Sequence, residues 1–223
     1  EITTIGAGTT TYQDTTVCIS TGYSYRVRAY KTGDWDSNYS NTGSATTATP
    51  SAPGSLATYG ATEVKLTLTW TDPTSDETGY RIERCTGAGC SDFTEITTVA
   101  ANTTTYNNTG LAPSTTYSYR IRAYKDATCN GGWTTGYGNT ASGATTTVPA
   151  PSGLTATAAN TTKINLAWTD NTGSESGFKI EKCTGAGCSD FSELAKTAQN
   201  TAAYSDTSVC YSTSYRYRVM AIK

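Results

Sequence analysis

The sequence predicts an all-β chain of tandem sandwiches with about seven strands in each module. Three observations carry this prediction. A stretch of alternating apolar and polar residues, typical of a half-buried strand, occurs three times and contains Tyr23, Tyr117 and Tyr215. Tyr117 follows Tyr23 by 94 residues and Tyr215 follows Tyr117 by 98 residues, a spacing close to the size of one domain. Short alternating segments separated by turn residues fill the interval, and none shows helical periodicity.

Repeats outside this strand set the predicted module boundaries. Residues 1–31 match residues 95–125 and 193–223, so residue 1 is expected to lie inside a repeat. Proline-containing junctions precede the second and third modules at Pro53 and Pro151. We therefore predict the C-terminal part of a first module, a complete second module, and a third module without its last strand, at residues 1–49, 50–147 and 148–223.

The first half of the complete module contains three predicted strands. The first begins at Leu56, and the second covers Val64–Trp70, where apolar and polar residues alternate. Trp70 recurs as Trp168, and both are predicted to be core residues. After a loop, Gly79–Arg84 is expected to form the third strand.

The second half of this module begins with a hairpin. The nonapeptide Cys85–Phe93 recurs unchanged at residues 183–191, and its glycines suit a tight turn between antiparallel strands. Two further strands, the second around Tyr106, lead to a corner that ends at Pro113. The repeated tyrosine strand follows, and Asn139–Thr145 is the predicted last strand.

Composition argues against several functional classes. The formal charge is −2, from 16 basic and 18 acidic residues, and no segment is strongly charged, so we expect no nucleic-acid partner. No apolar run approaches the roughly 20 residues of a membrane span, so no membrane insertion is expected. The chain has no histidine and no glycine-rich phosphate loop. We therefore expect a protein that is not an enzyme and needs no cofactor.

Taken together, these motifs resemble the fibronectin type III module. The resemblance implies immunoglobulin-like sandwiches of two antiparallel sheets, in which the tyrosine of each repeated strand packs in the core and hydrogen-bonds to the preceding corner. Modules with a Cys-Thr-Gly-x-Gly-Cys hairpin resemble bacterial surface proteins. The residues that carry the similarity in the middle module are Pro53, Leu56, Trp70, Leu111, Pro113, Thr115, Tyr117, Tyr119, Ile121 and Ala123.

The seven cysteines point to an extracellular or cell-surface location. Cys85 and Cys90, like Cys183 and Cys188, lie across a turn and are predicted to form local disulfides. The alternative is a metal site, which would require thiolates from two separate modules to meet, so we predict none.

The remaining cysteines are Cys18, Cys129 and Cys210. In fibronectin type III modules the corner that holds Cys18 points toward the next module, and the loop that holds Cys129 points toward the previous one. The resemblance therefore predicts an intermodule disulfide between Cys18 and Cys129. Cys210 occupies the Cys18 position of the third module, so its partner is expected in a further module. Surface thiols or crosslinks between chains are the alternative.

Four aromatic residues are candidates for a binding surface. Their rings lie in equivalent loops, where they could stack on sugars or fill a partner's pocket. They could equally pack against a neighbouring module and stiffen the junction. The four residues are Trp35, Tyr39, Trp133 and Tyr137.

A cluster of acidic residues is a weaker candidate. Asp72, Asp76 and Glu77 lie in one loop and could supply oxygen ligands to Ca²⁺. Their spacing matches no calcium loop, and a solvated turn explains them. We therefore predict no metal site here.

The sequence thus predicts a secreted, non-catalytic structural array that forms part of a surface fibre, filament, sheath or stalk. Its partners would be copies of itself or further modules of the same chain. The alternative is a set of spacer or adhesive modules attached to a larger secreted enzyme or adhesin, with carbohydrate or a surface protein as the partner.

Overall fold

The computed structural model describes residues 1–126 and 132–223, and every regular element within these ranges is a β-strand. The all-β prediction is therefore confirmed. No helix in this part of the chain is long and apolar enough to cross a membrane. Close contacts divide the chain into two compact units, whereas the sequence repeats predict three modules. The first unit contains Glu1–Tyr59, Thr67–Asn107 and Tyr117–Gly143, and the second unit contains Gly60–Leu66, Asn108–Thr116 and Ala144–Lys223.

The first 49 residues form four short strands in two antiparallel pairs. These strands are β1 (Gly22–Tyr25), β2 (Tyr30–Lys31), β3 (Trp35–Asp36) and β4 (Gly43–Thr46). β1 pairs with β4, and β2 pairs with β3.

The middle module contains two antiparallel sheets. Its strands are β5 (Gly54–Tyr59), β6 (Leu66–Thr71), β7 (Gly79–Thr86), β8 (Thr94–Ala100), β9 (Thr105–Asn108), β10 (Thr116–Lys125), β11 (Trp133–Thr134) and β12 (Ala141–Ala144). One sheet has the order β5-β6-β9, and the other has the order β11-β10-β7-β8, with β12 also paired to β10. β6 begins two residues later than the sequence pattern predicts, because Thr62 N–H donates to the Lys65 carbonyl in a turn (2.9 Å).

The core of the middle module forms where inward-facing residues of the two sheets meet. Trp70 on β6 and Tyr80 on β7 make an edge-to-face contact with ring centroids 5.6 Å apart. Because successive strand residues face opposite sides, the apolar positions of β10 also point inward. The other buried apolar residues of this module include Leu56, Leu66, Leu68, Ile82, Leu111, Tyr117, Tyr119, Ile121 and Ala123.

The third module repeats this arrangement within the second unit. Its strands are β13 (Ser152–Asn160), β14 (Lys163–Thr169), β15 (Gly177–Thr184), β16 (Ser192–Ala198), β17 (Ala203–Asp206) and β18 (Tyr215–Ile222). They form sheets in the orders β13-β14-β17 and β16-β15-β18. Trp168 and Phe178 repeat the edge-to-face contact at 5.5 Å, in a cluster with Leu166 and Ile180.

The repeated tyrosine strand differs in length among the modules. It has ten residues in β10 and eight in β18, but only four in β1. β10 and β18 are paired along most of their length with β7 and β15, whereas among the described residues β1 pairs with β4 alone. Without a strand on its second edge the first copy stays short, and Val27, equivalent to the buried Ile121, is 69% exposed.

The tyrosine of each repeated strand was expected in the core, and the structure distinguishes the three copies. Tyr117 is buried, whereas Tyr23 and Tyr215 are half-buried. The hydrogen bond to the preceding corner is present in both half-buried copies: the backbone N–H of Cys18 donates to Tyr23 Oη (2.8 Å) and that of Cys210 to Tyr215 Oη (2.9 Å). Fewer strands surround these two rings, so more of each ring reaches solvent.

Candidate binding surface

The outer face of the β10–β7 sheet carries most of the charged and aromatic contacts of the middle module. Alternation along β10 places Arg120 and Arg122 outward, on the side opposite the core. Strand register sets Arg120 against Glu83 and Arg122 against Arg81. Two like charges directly across a strand pair repel each other, so this face needs a carboxylate.

Glu83 supplies that carboxylate and is buried beneath its neighbours. Its Oε2 accepts from Arg120 Nη2 (2.6 Å), and its Oε1 lies 3.4 Å from Arg122 Nη2. The phenol of Tyr137 also donates to Oε1. Burial raises the pKa of Glu83, but the hydrogen bonds from Tyr137 and Arg120 outweigh it, so the net pKa lies below its ordinary value.

Aromatic rings cover the same arginines. The Arg120 guanidinium lies 4.4 Å from the Phe93 ring centroid and 4.0 Å from that of Tyr137, which in turn lies 5.1 Å from the Arg122 guanidinium. Phe93, Arg120, Tyr137 and Arg122 are called the arginine–aromatic stack below. Tyr137 is half-buried in this stack, so it differs from the exposed sugar platform that the sequence suggested as one possibility.

The other predicted surface aromatics differ in exposure. Trp133 lies on β11 opposite Lys125 and is half-buried. Trp35 and Tyr39 are 51% and 46% exposed. The Arg26 guanidinium lies 3.9 Å from the Tyr39 ring centroid, so this ring too is partly covered by a cation. Trp35 is therefore the most accessible of the four candidate rings.

The third module keeps part of the same pattern. Arg218 forms an ion pair with Glu181 and lies 4.5 Å from the Phe191 ring centroid. Lys179 contacts the same carboxylate at 2.7 Å. Met220 takes the position of Arg122 and is 48% exposed, so the repulsive arginine pair of the middle module is absent at this position.

Two disulfides close the repeated hairpins. Cys85 is joined to Cys90 and Cys183 to Cys188. The carboxylate of Asp92 lies within 4.8 Å of the first pair of sulfurs, as that of Asp190 does in the third module. Sulfurs joined in a disulfide offer no thiolate, so these groups do not form a metal site in this state.

The other cysteine predictions remain predictions. Cys129 lies outside the described residues, so its pairing with Cys18 is not seen. Cys18 is half-buried and Cys210 is exposed, and neither is bonded to another cysteine in residues 1–126 and 132–223.

The acidic loop of the middle module is occupied by internal contacts. Glu77 is buried and accepts hydrogen bonds from Thr74 Oγ1 (2.7 Å) and from the backbone N–H of Asn102 (3.0 Å). Asp76 pairs with Lys125 at 2.9 Å, and Asp72 accepts from the backbone N–H of Thr74 at 3.1 Å. These carboxylates therefore hold the loop together.

Sequence reasoning overlooked two buried acidic residues. Neither Glu83 nor Asp206 was singled out from the sequence. Asp206 is 1% exposed and lies 3.0 Å from Lys182 Nζ, and it accepts from Tyr217 Oη at 2.8 Å. One available signal was the repeat itself, because Asp14 occupies the same position and accepts from Tyr25 Oη (3.1 Å).

Comparisons with known proteins agree with this architecture. Residues 51–135 match the family model of the fibronectin type III domain. Exoglucanase B of Cellulomonas fimi is 32% identical in an alignment that covers 98% of this chain and 20% of that protein. Chitinase A1 of Niallia circulans is 31% identical, over 78% of this chain and 24% of that protein. The chain therefore spans less than a quarter of the length of either relative.

A solved two-domain fibronectin type III segment of chicken tenascin is similar with a TM-score of 0.40 and 16% identity, over 78% of this chain and 92% of that one. The family match in the middle module is extended by the motifs that recur in the flanking modules, such as Trp168 and the three tyrosine strands. The middle module therefore belongs to the fibronectin type III family.

Proposed function

We propose that the chain is a non-catalytic set of spacer modules in a larger extracellular bacterial protein that acts on a polysaccharide. One observation carries the proposal: nearly the whole chain aligns with one fifth of exoglucanase B, which leaves most of that protein for other tasks. The second relative, a chitinase, likewise aligns with most of this chain over only 24% of its own length. The two local disulfides support an oxidising, extracellular location.

The character of the described surface supports a non-catalytic role. Glu77 and Glu83 are engaged in internal hydrogen bonds, and most candidate rings are covered by arginine or half-buried. Two grooves, of about 370 and 470 Å³, are open and shallow. The smaller groove is lined by Lys179, Glu181 and Arg218, which neutralise one another in ion pairs.

A fibre or sheath role has less support. The named relatives are an exoglucanase and a chitinase, so their similarity favours modules within an enzyme over modules of a filament. These two relatives also give no support to a role as modules of an adhesin. Trp35 is exposed, so it is the ring at which carbohydrate binding is tested.

The proposal is tested by assaying residues 1–223 with insoluble cellulose and chitin. We expect no hydrolysis and no retention on either polymer, because a spacer supplies neither a catalytic site nor a sugar platform. Retention that is lost in Trp35→Ala but kept in Trp133→Ala would instead identify a binding module. Hydrolysis by residues 1–223 would overturn the proposal.

A further inference from the structure

A contact within the second unit joins a loop of the middle module to a loop of the third. Glu63 lies between β5 and β6, and its Oε1 accepts from Thr172 Oγ1 (3.1 Å) and Ser174 Oγ (3.2 Å), which lie between β14 and β15. Two hydroxyl donors thus converge on one carboxylate oxygen across more than 100 residues of sequence. Glu63 and residues 172–174 are called the Glu63 latch below.

The Thr172 hydroxyl in the latch has a different hydrogen-bond acceptor from its equivalent in the middle module. Thr74, the repeat equivalent of Thr172, donates to Glu77 Oε2 within its own loop. In the third module Thr172 donates to Glu63, and Oε2 of the equivalent Glu175 is buried without a hydrogen-bond partner. An orphaned carboxylate oxygen costs stability, so the contact with Glu63 must offset that loss.

The two sides of the latch carry different residues in the other repeat copies. Thr161 occupies the position of Glu63 in the third module, and Asp76 occupies the position of Ser174 in the middle module. An aspartate facing Glu63 would place two carboxylates in contact, which is repulsive. A threonine facing Asp76 would instead supply a donor to a carboxylate. In one combination the acceptor is Glu63 and the donor is Ser174. In the other the donor would be Thr161 and the acceptor Asp76.

We propose that these positions form a pairing code that decides which module can follow which. The Glu63 end of the middle module is a docking surface for a module that presents hydroxyl donors at the positions of Thr172 and Ser174. It rejects a module that presents an aspartate at the Ser174 position, as the middle module itself does with Asp76. The code goes beyond the spacer role and does not depend on it.

The first test measures the latch itself, by amide hydrogen exchange of residues 172–174 in the full chain. Glu63→Ala is expected to speed exchange in this loop about tenfold, because the Thr172 and Ser174 hydroxyls lose the acceptor that holds the loop in place. Thr161→Glu is the matched control and is expected to leave exchange of residues 172–174 unchanged, because it changes the equivalent position of the other module. Unchanged exchange of residues 172–174 in Glu63→Ala would overturn the inference.

The second test measures the code, by the thermal unfolding midpoint. Ser174→Asp is expected to lower the midpoint by several degrees, because it sets a second carboxylate against Glu63. The double variant Glu63→Thr with Ser174→Asp recreates the Thr161 and Asp76 combination and is expected to recover most of that loss. A double variant no more stable than Ser174→Asp alone would overturn the pairing code. Ser174→Ala, which adds no charge, is expected to have the smaller effect.

Discussion

Glu83 shows how one buried carboxylate organises a whole sheet face. It accepts from Arg120 and Tyr137 and lies against Arg122, which faces Arg81 across the strands. Without its negative charge, these guanidinium groups would face each other across the strands. The residue is therefore structural, although a carboxylate among arginines and aromatics could suggest a binding site.

The Glu83→Gln variant tests this role. We expect it to lower the free energy of unfolding by about 2–4 kcal/mol, because the amide cannot balance two guanidinium groups and retains only part of the hydrogen bonding. Urea denaturation of the full chain measures the change. Glu95→Gln is the matched control: Glu95 pairs with Arg81 at the surface, and its loss should cost under about 1 kcal/mol. Equal effects of the two variants would contradict the role given to Glu83.

Asp206 predicts a pH dependence of the third module. Burial raises its pKa, but hydrogen bonds from Ser208, Lys182 and Tyr217 outweigh burial, so the pKa lies below the ordinary value of 3.8. A carboxylate with a lowered folded-state pKa stabilises the fold above its unfolded-state pKa. That contribution is lost as the pH falls through the folded-state pKa.

Asp206→Asn should therefore cost about 1.5–3 kcal/mol near neutral pH and progressively less below about pH 4. The middle module offers the natural reference, because Asn108 occupies the same position. Urea denaturation of the unchanged chain and of Asp206→Asn, measured between pH 7 and pH 3, gives the difference in stability at each pH. A constant difference across that range would show that the charge of Asp206 does not stabilise the module.

The sequence pattern could not predict which charged residues are buried. Alternation correctly places Glu83 on the outer face, but its burial depends on Tyr137, which is 54 residues away. Tyr137 was a candidate for an exposed ring because its contact with Glu83 could not be predicted from the sequence. A local pattern gives the side of the strand on which a residue lies, whereas the cover over that side comes from a distant segment.

Among the elements, the disulfide hairpin is the most exactly repeated. Gly87 and Gly89 adopt positive φ angles of 109° and 70°, and Gly185 and Gly187 repeat them at 108° and 78°. Only glycine adopts such angles without strain, which explains why the turn sequence is kept in both modules. The disulfide then closes a short loop that is already shaped by its backbone.

We expect the double variant Cys85→Ser with Cys90→Ser to lose at most about 2 kcal/mol, because closing so short a loop removes little entropy from the unfolded chain. Thermal unfolding with and without reductant measures the loss. The same double change at Cys183 and Cys188 should give a similar value. Failure of either variant to fold would mean that the hairpin bond supports the whole module.

The elements also show where sequence patterns suffice. The turn glycines, the alternating strands and Trp70 are local features, and β7, β10 and β12 occur where the pattern predicts them. The short β1 was not predicted, because its length depends on pairing along a second edge rather than on its own residues. The Glu63 latch was also not predicted, since it joins loops more than 100 residues apart.

For the whole molecule, three similar modules share one design but differ at their ends. The corners of the first and third modules carry Cys18 and Cys210, whereas the middle module has Ala112 there and Glu63 in a neighbouring loop. Repetition of the sequence was enough to predict the fold, whereas the division into three modules remains a prediction.

Electron microscopy of the native protein from its source tests the spacer proposal most directly. We expect separate particles, each with a compact body joined to a short appendage made of modules. Long uniform fibres with an axial repeat of one or two modules would contradict the spacer role and establish the structural array instead.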